Sequence, residues 1–216
     1  MHRGNGLDAD SPGTQVALAL VHAMEAKSRF LRGHSDRVAA SAAAIAEELG
    51  LGDRAVEDVR MAGWLHDVGM IGVRDEVLNK PANLSPDELR HVQEHVPIGV
   101  AILEPLAGMG SVIEAVAHHH ERLDGSGYPK GLRDGAISLG GRILAAADAL
   151  DAITSPRAFR EALSLDEAIA YMRTQGPGVV CPLVLPALTR LVHGGRVLVF
   201  LDDTLERCPS ALMEEV

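Results

Sequence analysis

The stretch "HHHERLDGSGYP", residues 118–129, sets three consecutive imidazoles before an acid, two glycines around a serine, and Tyr-Pro. It closes an apolar stripe, because Val112, Val116 and His119 share one face of a helix predicted near 111–121. The glycines that follow let the chain turn: Gly125 and Gly127 permit positive φ, and Pro129 fixes the exit. Clustered imidazoles at a helix end, followed at once by a bend, ask what the imidazoles are for.

Working outward, the same oddity recurs. His34 stands just before a helix that starts near Ser35 and carries Val38, Ala42, Ile45 and Leu49 as one stripe, with Gly50 as its stop. His66 and Asp67 end a helix predicted over 53–67, whose stripe is Val56, Val59 and Gly63. "LSPDEL", residues 84–89, is a capping box of Ser85 and Glu88 with Pro86 in the first helical position. On the helix predicted to run on from it, Val92, His95, Gly99 and Leu103 share a face. Asp148 lies inside an alanine-rich helix over 138–154, on positions adjacent to Leu144 and Asp151.

The remaining signals are also helical. Val16, Leu20, Val21 and Met24 recur at helical spacing over 14–30. Ser164 and Glu167 form a second capping box, opening a helix to about Arg173, and Pro177, Gly178 and Pro182 break the chain before a last, weaker helix. "RVLVFL", residues 196–201, is β-like. The expectation is an all-α fold with a short β segment near the C-terminus. A loose segment covers 1–13, a helical domain 14–193 and a tail 194–216. Aromatics at 3% and abundant alanine agree with close-packed helices.

Composition narrows the function. The net charge of −10 repels a polyanion, so polymeric nucleic acid is not the expected partner. A small anion stays open, since bound cations reverse a local field. Cys181 and Cys208 are too few for a disulfide framework, and no apolar run would span a bilayer or serve as a signal peptide, so a cytoplasmic location is expected.

One inward histidine is more often a hydrogen-bonded core residue than a ligand. Five histidines and two aspartates on five segments change the reading, because facing helices of a bundle commonly build dinuclear sites. Imidazole and carboxylate donors without thiolate suit iron, manganese or zinc, and Asp67 beside His66 is the natural bridge between two ions. Two such ions suit phosphoryl chemistry, one activating water and both stabilising phosphate charge. Tyr128 would then stand near the metals to stack on or hydrogen-bond a ligand; an ordinary turn closed by a packed tyrosine fits equally well.

The ordered series His34-Ser35, His66-Asp67, His95, His119-His120-Glu121, Asp124-Gly125, Gly127-Tyr128-Pro129 and Ala147-Asp148 resembles the HD-GYP subgroup of HD-domain phosphohydrolases. "GHSDRV", "LHDVGMIGV", "LNKPANLSPDE" and "ADALDAITSPRAFR" resemble it too, over roughly residues 15–190. The resemblance implies an HD-domain helical bundle extended by further helices, and hydrolysis of cyclic di-GMP, or in some relatives cyclic GMP-AMP. It implies His34, His66, Asp67, His95, His119, His120 and Asp148 as metal ligands, with His66 and Asp67 at the catalytic centre. Tyr128, Arg157 and Arg160 match nucleotide-contacting positions. The resemblance implies contact of the Gly-Tyr-Pro loop with a diguanylate cyclase domain; no sensory module is expected within the 216 residues, so the chain is expected to be unregulated, regulated by a partner such as a separate sensor protein, or constitutively assembled.

The chain departs from the pattern at three places. Met70 stands where such proteins usually carry lysine, and losing one such electrostatic contact costs on the order of 10² to 10³ in rate. Phe30 replaces the glutamate of trinuclear members, so two ions, iron or manganese, are expected; Ser28 replaces an acidic residue. The expected function is a metal-dependent cyclic dinucleotide phosphodiesterase using a metal-activated hydroxide. The alternatives are a catalytically weak receptor or scaffold of the same fold, and a phosphohydrolase for another nucleotide.

Overall fold

The computed structural model describes residues 12–27, 33–80, 82–155, 161–176 and 180–196. Phe30, Ser28, Arg157 and Arg160 lie outside the described residues, as does the β-like segment after Arg196. The described residues form helices and turns, with one isolated antiparallel bridge between Asp124 and Arg133.

Among the described residues, ten α-helices follow in order: α1 Pro12–Lys27, α2 His34–Glu48, α3 Asp53–Leu65, α4 Asp75–Leu78, α5 Pro86–Gln93, α6 His95–Leu103, α7 Gly110–His118, α8 Leu139–Thr154, α9 Leu165–Thr174 and α10 Val184–His193. A 3₁₀ turn, Val68–Gly72, connects α3 to α4. The first helix starts at Pro12 rather than at Thr14, a position where the missing N–H costs no helical bond.

Both predicted capping boxes form. Ser85 Oγ accepts from Glu88 N at 3.3 Å, and Glu88 Oε2 accepts from Ser85 N at 2.7 Å. Ser164 and Glu167 repeat the pattern. Each such cap contributes about 1 kcal/mol.

The single long helix expected from Pro86 to Leu103 is instead two helices, α5 and α6, that meet at Glu94. Pro97 supplies the reason: it has no N–H to give the carbonyl of Gln93, so the α5 ladder stops there. The break makes His95 the first residue of a new helix.

Helix α8 is the central strut. It packs on α2, α7, α9 and α10, and α2 packs broadly on α3. Val38, Ala42 and Ile45 of α2, Ala62 and Leu65 of α3, Ile143, Leu144 and Leu150 of α8, and Leu188 of α10 are fully buried in one core. A large side chain buried this way stabilises by about 1.5–3 kcal/mol. A smaller cluster joins Met24 of α1 to Met70, Val73, Val77, Leu78 and Val92. Lys27 ties α1 to this region by donating to the carbonyls of Ile71 and Val73. The alanines of α8 leave room for α2, α3 and α7 to approach closely, and α7 in turn packs on α3 and α6.

Candidate metal centre

Five segments meet in one place. His34 opens α2, His66 and Asp67 follow α3, His95 opens α6, His119 and His120 follow α7, and Asp148 projects from α8. Imidazoles at helix ends have a use for the exposed backbone there. Nδ1 of His66 donates to Gly63 O at 2.9 Å, that of His95 to Val92 O at 2.8 Å, and that of His119 to Val116 O at 2.6 Å. In each case the acceptor is three residues back, and the bond leaves Nε2 as the unprotonated nitrogen of the neutral ring.

Those lone pairs converge. Nε2 of His95 and of His119 lie 3.4 Å apart, and Nε2 of His34 and of His66 lie 3.2 Å apart. The backbone-anchored His95 and His119 have no proton between their Nε2 atoms, so that approach is not a hydrogen bond, whereas a protonated His34 donates to His66. Two nitrogens bound to one cation at 2.0–2.1 Å stand about 2.8–3.4 Å apart. The spacing therefore fits a shared cation.

The donors fall into two groups, His34 with His66 and Asp67, and His95 with His119 and His120. Asp67 faces both. Its Oδ2 lies 3.4 Å from His66 Nε2 and 3.7 Å from His34 Nε2, while its Oδ1 lies 3.6 Å from His95 Nε2. Asp148 Oδ1 adds to the first group, 3.5 Å from His34 Nε2. All seven residues named from the sequence as candidate ligands are thus brought together.

The electrostatics are those of a site prepared for positive charge. Burial opposes ionisation of Asp67, but the imidazoles of His66, His95, His34 and His119 outweigh it and hold its carboxyl well below the usual carboxylate range. Burial pushes His119 and His120 well down, and neighbouring histidines push them further, so both are neutral donors. His95 is lowered as well, chiefly by burial. His34 goes the other way. Burial lowers it, but the hydrogen bond and charge of Asp151, with Asp148 and Asp67, raise it to about 9. A cation binding at His34 Nε2 displaces that proton.

His118, first of the three histidines, faces elsewhere. Its Nδ1 meets the backbone N and the hydroxyl of Ser138, each at 3.2 Å, at the start of α8. It joins helices and stands outside the donor set.

The loop after the histidines is fastened from three sides. Glu121, almost fully buried, accepts from Lys130 N and Leu132 N, both at 2.7 Å. Tyr128 N donates to His120 O at 3.1 Å. Asp124 Oδ1 accepts from Ser126 N and Oγ. Gly125 has φ of 80°, as expected, but Gly127 is glycine for another reason. A Cβ there would lie 2.4 Å from both Arg122 N and His120 O, so the need is close approach of backbone rather than positive φ. The Tyr128–Pro129 peptide bond is cis. The Tyr128 ring stacks on His120 with centroids 4.7 Å apart. The tyrosine is therefore packed and also stands beside the candidate metal ligands, so the two sequence readings of it are compatible.

Three contributors were not legible as site residues. Glu121 fixes the loop, and Asp151 and Arg37 stand behind His34. The only signal was spacing, Asp151 three residues after Asp148 and Arg37 three after His34, which places each on the neighbouring turn of its helix. For Glu121→Gln, an amide N–H would face a backbone N–H. Tryptic cleavage at Lys130 and Arg133 is expected to accelerate, with a stability loss of about 1–3 kcal/mol. Unchanged proteolysis would refute the fastening role.

Residues 19–177 match the family model described as HD domain. The chain belongs to that family. The HD domain here is 38% identical over 158 residues to 3'3'-cGAMP-specific phosphodiesterase 1 of Vibrio cholerae, covering 73% of this chain and 37% of that protein. It is 38% identical over 173 residues to the cyclic di-GMP phosphodiesterase response regulator RpfG of Xanthomonas campestris, covering 79% and 46%. The chain thus spans less than half the length of these curated relatives. Among solved structures, the V. cholerae cyclic GMP-AMP phosphodiesterase V-cGAP3 is similar at 30% identity and TM-score 0.56, covering 85% of this chain and 42% of that one. Bd1817 of Bdellovibrio bacteriovorus, an HDG"Y"P protein, shares the HD fold at 19% identity and TM-score 0.61, covering 84% and 61%. The resemblance to the HD-GYP subgroup is borne out by these relatives. Among the described residues, no helix of this HD domain is long and apolar enough to cross a membrane.

Proposed function

We propose that this chain is a metal-dependent phosphodiesterase that hydrolyses a cyclic dinucleotide, cyclic di-GMP first among them. The observation that carries the reading is Asp67, whose two oxygens face two separate groups of imidazole nitrogens. His34, His66, Asp67 and Asp148 would hold one divalent ion, and His95, His119 and His120 with Asp67 the other. A donor set of nitrogen and oxygen without thiolate suits iron, manganese or zinc, and the resemblance to the HD-GYP subgroup makes iron or manganese the proposed ions.

When bound, the two ions supply a water acidic enough to attack at neutral pH and positive charge for the phosphate oxygens. The chain's own residues do the rest. The backbone-anchored imidazoles keep their lone pairs aimed inward, so little reorganisation is needed during reaction. Asp67 sets the spacing between the two groups. Tyr128, at the edge of the site on the His120 ring, orients the nucleotide, and we assign Arg157 and Arg160 to its phosphates or guanines. The catalytic unit is assigned to residues 14–193. A diguanylate cyclase domain or a sensor protein is the proposed partner for the loop 124–129, and the reducing cytoplasm the proposed location.

Met70 favours a second reading. It is buried among apolar side chains and supplies neither charge nor donor to a phosphate. On that reading the chain binds the nucleotide and relays it as a receptor. Anaerobic purification, metal analysis and cyclic di-GMP turnover beside Met70→Lys separate the two. The phosphodiesterase reading expects about two ions per chain and turnover by the wild type. Bound metal without turnover, with activity gained in Met70→Lys, would support the receptor. A chain that takes up neither iron nor manganese overturns both metal-based readings. Because an ammonium in this apolar cluster must leave it to stay solvated, Met70→Lys is also expected to melt several degrees lower, for a loss on the order of 1–3 kcal/mol.

A further inference from the structure

His34 differs from the other inward histidines in what stands behind it. His66, His95 and His119 each rest on a backbone carbonyl three residues back. His34 is the first residue of α2, and its Nδ1 meets a side chain from another helix instead, Asp151 Oδ2 of α8 at 2.7 Å. Asp151 is itself buried and is gripped by Arg37, with Nε 2.5 Å from Oδ1 and Nη2 3.1 Å from Oδ2. Both carboxylate oxygens are thus engaged by a planar guanidinium, the strongest and most directional pairing available to them. Ser155 Oγ stands 3.4 Å from Oδ2 and completes the surroundings.

Two consequences follow from elementary chemistry. A carboxylate accepting from one nitrogen of an imidazole raises electron density on the other, so the ring becomes a better donor than one resting on a neutral carbonyl. It also fixes the ring's tautomer and plane across the α2–α8 interface. The two donor groups are therefore unequal. The first has Asp67, Asp148 and a carboxylate-backed His34. The second has three imidazoles, and its carboxylate oxygen is the one it shares through Asp67.

We infer that Asp151, clamped by Arg37, is a positioning residue for His34 that makes the His34–His66–Asp67–Asp148 group the tighter of two unequal cation sites. This rests on the two-ion reading above and goes beyond it, because a symmetric pair would serve that reading equally well. The two ions load in order, the first group filling before the second.

The test is titration of the metal-free 216-residue chain with Mn(II), counting bound ion by electron paramagnetic resonance and calorimetry. The wild type is expected to show two sites of different affinity. Asp151→Asn keeps the shape and an acceptor oxygen but removes the charge. It is expected to weaken the tighter site about 10- to 100-fold and leave the weaker one unchanged. Arg37→Gln is expected to do the same to a smaller degree, and His120→Ala to remove the weaker site alone. A purely structural Arg37–Asp151 pair would lower the melting temperature and leave both affinities where they were, which overturns the inference. Two equal sites in the wild type also overturn it while sparing the two-ion reading. A wild-type chain that binds no Mn(II) or Fe(II) overturns both. If Asp151→Asn fails to fold, Arg37→Gln and the wild-type affinities still decide the matter.

Discussion

Asp67→Asn is expected to leave the helical fold intact and abolish the two-ion centre. An amide keeps one oxygen, so one donor group retains its shared ligand and the other meets an N–H₂ that cannot bind a cation. The chain should then hold at most one ion. Hydrolysis of cyclic di-GMP should fall at least about 10³-fold, the upper end of what loss of one preorganised electrostatic group costs. The metal-free folded state should also lose some stability, because the asparagine fits the same space but takes away the charge that the surrounding histidines favour. Metal analysis, circular dichroism and turnover on one preparation check all of this. An Asp67→Asn protein that retains two ions and turns over within tenfold of wild type would remove the bridging role.

Gly69→Ala should strike the same centre through packing. A Cβ on Gly69 would lie 1.9 Å from His95 O and 2.5 Å from Gly99 N, both backbone atoms that no rotamer change can move. To reach ordinary contact, the 3₁₀ turn and α6 must part by about 1.5 Å. That turn begins directly after Asp67, and the atom in the way belongs to His95, so parting them pulls Asp67 Oδ1 away from His95 Nε2. A backbone clash of this kind belongs to the severe class, more than about 4 kcal/mol. The melting temperature should drop by roughly 10 °C or more for a chain of this size. Where the variant still folds, the His95–His119–His120 group should lose affinity for Mn(II) while the His34 group is spared. A variant with wild-type melting and wild-type metal binding would mean that the turn does not set the Asp67–His95 spacing.

The tightness that makes Gly69 sensitive was invisible in the sequence, where "HDVGM" offers a glycine with no stated neighbour. The same holds for Gly127. Its place after Gly125 pointed to positive φ, whereas the structure requires it because His120 O and Arg122 N occupy the space a Cβ would need. Turn chemistry is local and can be inferred from neighbouring letters. Close approach between segments depends on what the fold puts opposite.

A similar division runs through the site. Val112, Val116 and His119 reveal by spacing alone that a histidine faces inward, because helical period is a property of adjacent residues. Ser85 with Glu88, and Ser164 with Glu167, announce their helix starts for the same reason. The break at Glu94 follows from the missing N–H of Pro97, which stands inside the apolar stripe from Val92 to Leu103 without interrupting its spacing. Which inward residues become neighbours was a different matter. Asp151 lies 117 residues from His34, and Arg37 lies 114 from Asp151; neither distance carries any periodic signal.

What the sequence determined by itself was the class of fold, the helices with most of their ends, and the seven candidate donors, because amphipathic period, caps and residue chemistry are written in short windows. What only the tertiary structure decided was the partition of those donors into two groups, the placing of one Asp67 oxygen before each, and the carboxylate behind His34. These depend on how α2, α3, α6, α7 and α8 cross, and crossing geometry is set by side-chain packing summed over the whole core rather than by any one stretch of residues.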